Sequence, residues 1–290
     1  MGGSTDLSIQ MDPMYTRSRQ ELAGQGKVTL DVTPSLEALY QRMATDVVEE
    51  VRRNNGRSRR TVLILPVGPI EQYERIVQMV NREKLSLRSV TVLNMDEYLT
   101  SPTAYIAKDH ALSFRGFMER EFYGKIDPSL TVPEDQRIFP EPGREGRILR
   151  IIEDLGGVDL CQGGFGINGH IAFNEPPDAE VTVEAFREYR TRVLPISRET
   201  VIVNSMKIGG CYDLMPGWCI SIGMKEILSA RKLRFYLNRT WQWGILRKVL
   251  FGPVTPRVPA SYLQEHADAR IVAAAEVVDP IRWTLGGPSC

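Results

Sequence analysis

The chain has 290 residues, 42% of them hydrophobic, and its 36 Lys and Arg residues balance its 36 Asp and Glu residues. This length allows one large α/β domain or two small ones, with enough apolar residues for a substantial core. A net charge of zero argues against a general nucleic-acid-binding surface, but it does not exclude a small basic pocket for an anionic substrate. No apolar run reaches the length of a membrane span, and no basic-then-apolar signal peptide opens the sequence.

The chain contains four cysteines, Cys161, Cys211, Cys219 and Cys290. No two of them form a C-x-x-C pair, so we interpret them as reduced thiols and not as a disulfide framework. This cysteine usage, together with the lack of a signal peptide, predicts a cytoplasmic protein.

Residues 1–30 are polar without clear periodicity, and we interpret them as an N-terminal extension to a single domain at 31–290. Apolar patterns predict helices at 34–54, 70–82, 109–123, 144–155, 197–207, 223–228, 241–250 and 261–266. Short apolar runs predict strands at 61–65, 89–93, 158–161, 191–194, 218–222, 232–237 and 269–273. Because strands and helices alternate, we expect an α/β protein, a three-layer α/β/α fold with a mostly parallel, Rossmann-like sheet.

The turn after the first predicted strand is a candidate anion site. Pro66-Val67-Gly68-Pro69 separates that strand from a helix, so backbone N–H groups near Gly68 and Pro69 and the helix N-terminus could face a phosphate. The signal is weak alone, because many α/β turns have this composition.

Two acidic residues follow the strand at 89–93. Asp96 and Glu97 lie at a strand end, where open parallel sheets bind ligands. One of the two acids could enter a pocket while the other braces it. A helix-capping acidic turn is an equally good interpretation of position alone.

The most distinctive stretch is 163–177, with four glycines in seven residues followed by His170 and Glu175. Glycines such as Gly166 let a backbone turn sharply and approach a ligand closely. His170 can transfer a proton near neutral pH, and Glu175 can orient it. The alternative is a structural turn with a surface histidine.

The same stretch contains the G-x-G-x-x-G pattern of dinucleotide-binding proteins. That pattern must open a helix, but Pro176-Pro177 follow within eight residues of Gly169. No acidic residue stands at the expected distance either, so we reject nucleotide binding.

Two motifs carry a family resemblance. Asn94-Met-Asp-Glu-Tyr98 and Gly166-Ile-Asn-Gly-His-Ile-Ala-Phe-Asn-Glu-Pro176 together resemble the glucosamine-6-phosphate deaminase (isomerase) family, and the likeness extends over about 34–276. The related 6-phosphogluconolactonases share the fold and the Gly-His pair, but follow it with a different run. The resemblance therefore favours the deaminase branch.

The resemblance implies conversion of an amino-sugar phosphate into a ketose phosphate and ammonia. It assigns Asp96 as the base that takes the C2 proton, His170 as the ring-opening catalyst and Glu175 as its partner. It implies that the reaction needs no metal and no other cofactor. It also implies that the partner is a small-molecule sugar phosphate and that the protein binds neither nucleic acid nor membrane. Family members are often oligomeric, so a homo-oligomer is an expectation that the sequence leaves open.

Four positions depart from the family pattern. Asn168 replaces an aspartate of the histidine group, and an amide can orient His170 but cannot stabilise its imidazolium by charge. Met206 and Gly217 stand where the family has a phosphate-binding arginine and lysine, and the Gly68 loop lacks the usual Thr-containing run. The candidate substitutes are Lys207, Lys225 and Arg192, although Lys207 should point away from Met206 on a helix.

These departures leave two hypotheses. One is a divergent sugar-phosphate isomerase or deaminase with an altered substrate, favoured by the retained Asp96, His170 and Glu175. The other is a catalytically weak or inactive paralogue that binds sugar phosphates as a sensor or partner module, favoured by the missing basic residues. From sequence alone, Asn168→Asp should raise activity at neutral pH.

Overall fold

The computed structural model describes residues 12–279, and within them a seven-stranded parallel sheet forms the centre of the fold. Its strand order is β1-β11-β10-β7-β2-β3-β6, and a second, four-stranded antiparallel sheet has the order β5-β4-β9-β8. The strands are β1 (Thr29–Thr33), β2 (Thr61–Leu65), β3 (Val90–Asn94), β4 (Asp96–Ser101), β5 (Ala104–Tyr105), β6 (Arg137–Ile138), β7 (Leu160–Gly163), β8 (Arg192–Pro195), β9 (Trp218–Ser221), β10 (Leu233–Leu237) and β11 (Ala269–Ala274).

Helices connect these strands. They are α1 (Arg19–Gln25), α2 (Leu36–Asn55), α3 (Glu71–Glu83), α4 (Phe114–Phe117), α5 (Arg147–Asp154), α6 (Val183–Arg187), α7 (Arg198–Ser205), α8 (Met224–Leu228), α9 (Trp243–Phe251) and α10 (Ala275–Val278). The segment Pro259–Glu265 is a 3-10 helix where the sequence predicts a short helix.

Two apolar clusters cover the central sheet on opposite faces. In β2, Val62 and Ile64 belong to the cluster formed with β10, β11 and α9, whereas Leu63 and Leu65 belong to the cluster formed with α3 and the segment 118–126. Because successive side chains of a strand point to opposite faces, this alternation places one apolar layer on each side of the sheet. The predicted three-layer α/β/α fold is confirmed.

The small antiparallel sheet corrects the prediction for 218–222, which the sequence assigned to the main sheet. Trp218–Ser221 instead pairs antiparallel with Asp96–Leu99, and β8 pairs with its other edge. A single residue, Met95, separates β3 from β4, so the chain passes from one sheet directly into the other. Apolar periodicity identifies a strand but does not specify its partner, which is why the sequence missed this sheet.

The helix predicted at 109–123 begins later than expected. Ser113 caps α4 by accepting a hydrogen bond from the Gly116 N–H, and a π-helical turn covers Met118–Phe122. Residues upstream of Ser113 form turns, including the bond from the Ser113 N–H to the His110 carbonyl. The helix therefore starts at the capping serine, a residue type that is frequent at helix starts, and not where the apolar pattern starts.

At the N-terminal side, the central sheet begins at Thr29, two residues before the predicted start of the domain. Leu22 of α1 is fully buried in the larger apolar cluster, so part of the predicted extension packs against the domain. Cys161, Cys211 and Cys219 are free thiols, and Cys290 lies outside the described residues. Among the described helices, none is both long and apolar enough to cross a membrane.

Candidate active site

Three loops meet at the carboxyl edge of the central sheet. β2 lies between β3 and β7, pairing with both in parallel. The segments that follow these strands carry Gly68, Asp96 and the Gly-rich stretch with His170. Since parallel strands end at the same edge, the predicted site residues of these three loops lie at one place in the fold.

Asp96 and Glu97 open β4 and point to opposite faces of it. Glu97 is fully buried, and its carboxylate accepts hydrogen bonds from the N–H groups of Phe114 (3.0 Å) and Arg115 (2.8 Å) and from the Ser113 hydroxyl (3.1 Å). A carboxylate in this position stabilises the N-terminus of α4. The sequence left open whether these acids brace a pocket or cap a helix. Glu97 fits both the bracing and the capping acid, and Asp96 points to the opposite face of β4.

The Asp96 side chain is almost completely withdrawn from water. Burial and, to a smaller extent, the nearby Glu97 carboxylate raise the pKa of its carboxyl to about 8, against the opposing effect of the positive charge of Lys207. At pH 7 the group is therefore mostly an uncharged acid, and above pH 8 it is mostly a carboxylate. A carboxylate held in a dry site is a stronger proton acceptor than one in water.

His170 lies within a compact group of polar side chains. Its Nδ1 is 3.0 Å from the Glu175 Oε2, 3.0 Å from the Asn168 Oδ1 and 3.2 Å from the Thr200 Oγ1. The Asn168 amide donates to the Glu175 Oε2 at 2.7 Å, while its oxygen accepts the His170 backbone N–H at 3.1 Å. These two bonds identify which terminal atom of the Asn168 amide is the nitrogen and which is the oxygen.

The hydrogen bonds also fix the tautomer of neutral His170. The three atoms around its Nδ1 are all oxygens oriented to accept, so Nδ1 carries the proton and Nε2 is left as the basic nitrogen. Gly166 lies directly against the ring, since a Cβ built there would be only 1.9 Å from the His170 Cε1. Gly166 therefore makes room for the imidazole, which differs from the substrate contact that the sequence predicts for it.

Glu175 is held as a carboxylate. Burial alone would raise its pKa, but hydrogen bonds from His170, Thr200 and Asn168 and the charge of protonated His170 outweigh that effect and lower the pKa. A permanent negative charge beside the imidazole stabilises the protonated form of His170 during proton transfer.

Lys207 reaches the Gly68 loop, against the expectation that it points elsewhere. A Cβ built on Gly68 would lie 3.8 Å from the Lys207 Nζ. The reason is local: α7 ends at Ser205, and Met206–Ile208 continue as a 3-10 turn, which leaves Met206 65% exposed and directs the Lys207 side chain, itself exposed, towards Gly68. The sequence argument assumed an unbroken α-helix through position 207.

The electrostatic surroundings of Lys207 are mixed. Although part of its side chain is open to solvent, crowding by protein atoms lowers the pKa of its ammonium, and the nearby Arg239 charge lowers it too. The carboxylates of Glu71 and Asp96 act in the opposite direction. Lys207 thus lies at the Gly68 loop with the Arg239 charge close enough to act on it, and a substrate anion would be attracted to this pair.

The other two candidate substitutes differ in position. Arg192 pairs across β9 with Ser221, which in turn pairs with Asp96, so the three side chains share one face of the small sheet. Its guanidinium donates to the Asn174 Oδ1 at 2.7 Å. Lys225 instead forms an ion pair with Glu188, a contact that does not support its predicted role at the phosphate.

Sequence reasoning missed two residues of this site, Thr200 and Asn204. Thr200 contacts both His170 and Glu175, and the Asn204 amide donates to the Tyr98 hydroxyl at 3.1 Å. With Lys207 they form an i, i+4, i+7 series on the face of α7 and its final turn that meets the site. Their spacing was visible in the sequence, but contacts to residues 25 to 106 positions away were not.

Comparison with known proteins agrees with this geometry, although no protein-family profile matches the chain. It is 30% identical over 271 residues to a glucosamine-6-phosphate deaminase of Rhodopirellula baltica, covering 89% of this chain and 99% of that protein. It is 31% identical over 215 residues to one from Serratia proteamaculans, covering 73% of this chain and 76% of that protein.

Solved structures show the same fold at lower identity. A monomeric glucosamine-6-phosphate deaminase superposes with a TM-score of 0.74 at 24% identity, over 86% of this chain and 98% of that one. A 6-phosphogluconolactonase from Trypanosoma cruzi superposes with a TM-score of 0.60 at 16% identity, over 86% of this chain and 94% of that one.

Proposed function

The chain belongs to the glucosamine-6-phosphate deaminase family, and on that premise we propose that it isomerises and deaminates an amino-sugar phosphate to a ketose phosphate and ammonia. The observation that carries the proposal is that two proton-transfer groups lie at one sheet edge. One is Asp96, a buried carboxyl with a raised pKa, and the other is His170, an imidazole whose Nε2 is the basic nitrogen. The reaction has two proton-transfer steps, ring opening and isomerisation, and each step requires one such group.

His170 serves the first step, the opening of the pyranose ring. Its Nε2 accepts the proton of the O1 hydroxyl and gives it to the ring oxygen O5 as the C1–O5 bond breaks, leaving an open-chain aldehyde. The imidazolium that exists between the two transfers is stabilised by the Glu175 carboxylate at 3.0 Å.

Asp96 serves the second step, isomerisation. Its carboxylate removes the C2 proton of the open-chain amino sugar, which leaves an enolate with its negative charge on O1. The same carboxyl returns that proton to C1, and a proton of the substrate's amine nitrogen passes to O1, so that C1 carries a hydroxyl and C2 becomes an imine. The resulting C2 imine takes up one water molecule and releases ammonia, which leaves the ketose phosphate. A carboxylate in a dry site is suited to this transfer because water would stabilise its charged form and weaken it as a base.

Lys207, at the Gly68 loop, is the group we propose for the substrate phosphate. It replaces the function of the arginine and lysine positions now occupied by Met206 and Gly217. Arg192, on the same sheet face as Asp96, is a second candidate for contact with the substrate.

A second candidate function is an inactive paralogue that binds sugar phosphates as a sensor or partner module. The loss of the family's basic residues at Met206 and Gly217 favours it. It differs from the first in needing neither the C2 base nor the ring-opening histidine.

The deciding experiment measures ammonia and ketose formation from glucosamine 6-phosphate and related amino-sugar phosphates. The proposed activity predicts turnover that Asp96→Asn and His170→Gln each greatly reduce while the folded structure is retained. If none of these substrates turns over but one of them binds, the enzyme proposal fails and the sensor remains.

The location and assembly of the protein are expectations attached to this proposal. We expect a cytoplasmic enzyme whose partner is the small-molecule substrate, and gel filtration with light scattering would decide between a monomer and a homo-oligomer.

A further inference from the structure

Thr200 is buried at the centre of the histidine group, where no motif of the sequence points to it. Only 2% of the residue is exposed. Its hydroxyl oxygen lies 2.6 Å from the Glu175 Oε1 and 3.2 Å from the His170 Nδ1. One hydroxyl therefore contacts both members of the acid–histidine pair.

The hydrogens of this group can be assigned by counting donors. The Thr200 hydroxyl has one hydrogen, and the ionised Glu175 can only accept, so that hydrogen is donated to the Glu175 Oε1. The Ser197 hydroxyl in turn donates to the Thr200 Oγ1 at 3.1 Å. A directed chain of donors thus runs from Ser197 through Thr200 to the carboxylate.

The two oxygens of Glu175 are consequently held by different partners. Thr200 binds Oε1, while Oε2 lies 2.7 Å from the Asn168 amide nitrogen and 3.0 Å from the His170 Nδ1. With Oε1 held, rotation of the carboxylate about its last bond would break the Thr200 hydrogen bond. Oε2 is thereby kept directed at the imidazole.

The backbone gives Thr200 a defined position for this contact. Its N–H donates to the Ser197 hydroxyl, which caps α7, and Asn204 one turn later is bonded to Tyr98 of β4. Because threonine is branched at Cβ, packing of its methyl group restricts the direction of the hydroxyl.

We infer that Thr200 is a positioning residue for ring opening, which holds the Glu175 carboxylate so that it stays directed at His170 during proton transfer. The inference rests on the proposed function, because it assigns a step of that reaction. It adds a residue from α7 to a group that otherwise comes from one short loop.

The first test compares Thr200→Val, which keeps the shape but removes the hydroxyl, with Thr200→Ser, which keeps the hydroxyl. We expect kcat for glucosamine 6-phosphate to fall about 10- to 100-fold in T200V, as for the loss of a hydrogen bond to a charged group, with KM changed less than about threefold. T200S should retain kcat within about threefold. An unchanged kcat in T200V, or an equal loss in T200S, would overturn the inference.

Thr191→Val is the matched control. Thr191 is also a buried threonine whose hydroxyl donates to a buried glutamate, Glu226, at 3.1 Å, but it does not contact His170 or Glu175. T191V and T200V should lose similar thermal stability, whereas only T200V should lose kcat. An equal loss of kcat in both would mean that general destabilisation explains the effect.

The second test does not depend on turnover. Carbon-13 NMR of glutamate carboxyls follows the titration of Glu175, whose pKa is lowered partly by its bond from Thr200. T200V should raise the Glu175 midpoint, and T200S and T191V should leave it in place. If the wild type turns over no amino-sugar phosphate, the proposed function fails, while an unshifted midpoint in T200V would by itself refute the positioning of Glu175.

Discussion

The two halves of the site differ in how they are built. The proton-transfer half, around His170, is a compact network in which Asn168 and Thr200 each donate to Glu175 and all three contact the imidazole. The anion half, around Gly68, brings a single lysine against an otherwise apolar turn, with Arg239 and Glu71 nearby. The dense half thus keeps the His170 and Glu175 of the family pattern and departs from it at Asn168, whereas in the sparse half Met206 and Gly217 stand at both of the family's basic positions.

The difference follows from where the residues lie in the chain. Asn168, His170 and Glu175 fall within eight positions of one loop, so a local turn alone brings them together. The anion half is assembled from segments around 68, 207 and 239, which are far apart in the chain. Removing a polar group from the proton-transfer half would leave a buried partner unsatisfied, whereas Asn168, which replaces an aspartate, keeps a hydrogen bond to Glu175.

Asp96→Asn should have the largest effect. The amide cannot accept the C2 proton, so we expect kcat to fall by about 10²- to 10⁴-fold, the range of a general base. Ammonia release at pH 9 measures the loss of kcat, with circular dichroism as the check on folding.

Glu97→Gln is the contrasting variant. It should lower the free energy of unfolding by about 1–3 kcal/mol, because the bonds to α4 weaken, and reduce kcat less than tenfold. Similar kcat losses in both would refute the division of roles between the two acids.

Gly166→Ala should come next. Its Cβ would be placed 1.9 Å from the His170 Cε1, so the imidazole must leave the position in which its Nδ1 contacts Glu175 and Asn168. We expect at least about a 10²-fold loss of kcat, as for a misplaced acid–base group. The control is Gly244→Ala, where a Cβ would meet nothing within 4 Å. Retention of wild-type kcat in G166A would show that the ring tolerates displacement.

Lys207→Met tests the anion half. Losing a charged hydrogen-bond donor should raise KM for the phosphorylated substrate by about 10- to 100-fold with a smaller change in kcat. Lys225→Met, which removes a lysine paired with Glu188, should leave KM within about threefold. Equal effects of the two substitutions would place the phosphate elsewhere.

The pH dependence connects the two halves. Asp96 acts as a base only after losing its proton, and its pKa is about 8, so kcat/KM should rise about tenfold from pH 7 to pH 9. Because Lys207 lowers the Asp96 pKa, the rise should move to higher pH in K207M and stay in place in K225M. A profile already flat above pH 6 would contradict the raised pKa.

The smallest effect is expected for Asn168→Asp, and the structure reverses its sign. The Asn168 amide donates to the Glu175 Oε2 at 2.7 Å, so an aspartate would place two carboxyl groups in contact. One of them would then bind a proton at higher pH, and we expect kcat at pH 7 to fall a few-fold, about 2- to 5-fold. A rise in kcat would support the expectation from sequence and show that the network adapts to a second charge.

The sequence predicted the fold correctly, and it predicted that His170 and Glu175 lie together, because both features follow from local patterns. Runs such as 61–65 are apolar enough to specify buried parallel strands, and the motif around His170 places its partners within one loop. Neither the antiparallel pairing of β9 with β4 nor the contact of Thr200 with His170 could be predicted, since both depend on segments far apart in the chain. The direction of Lys207 depended on a change from α- to 3-10-helix that propensity does not indicate.

The number of residues at the junction between the two sheets decides which acidic side chain faces the pocket. Met95 alone separates Asn94, the last residue of β3, from Asp96, the first of β4. Alternate residues of a strand face opposite sides, so removing or adding one residue at this junction would exchange the two acids: Glu97 would enter the pocket and Asp96 would turn towards α4. Which acid faces the pocket is therefore decided by an odd or even count of residues as much as by their identity.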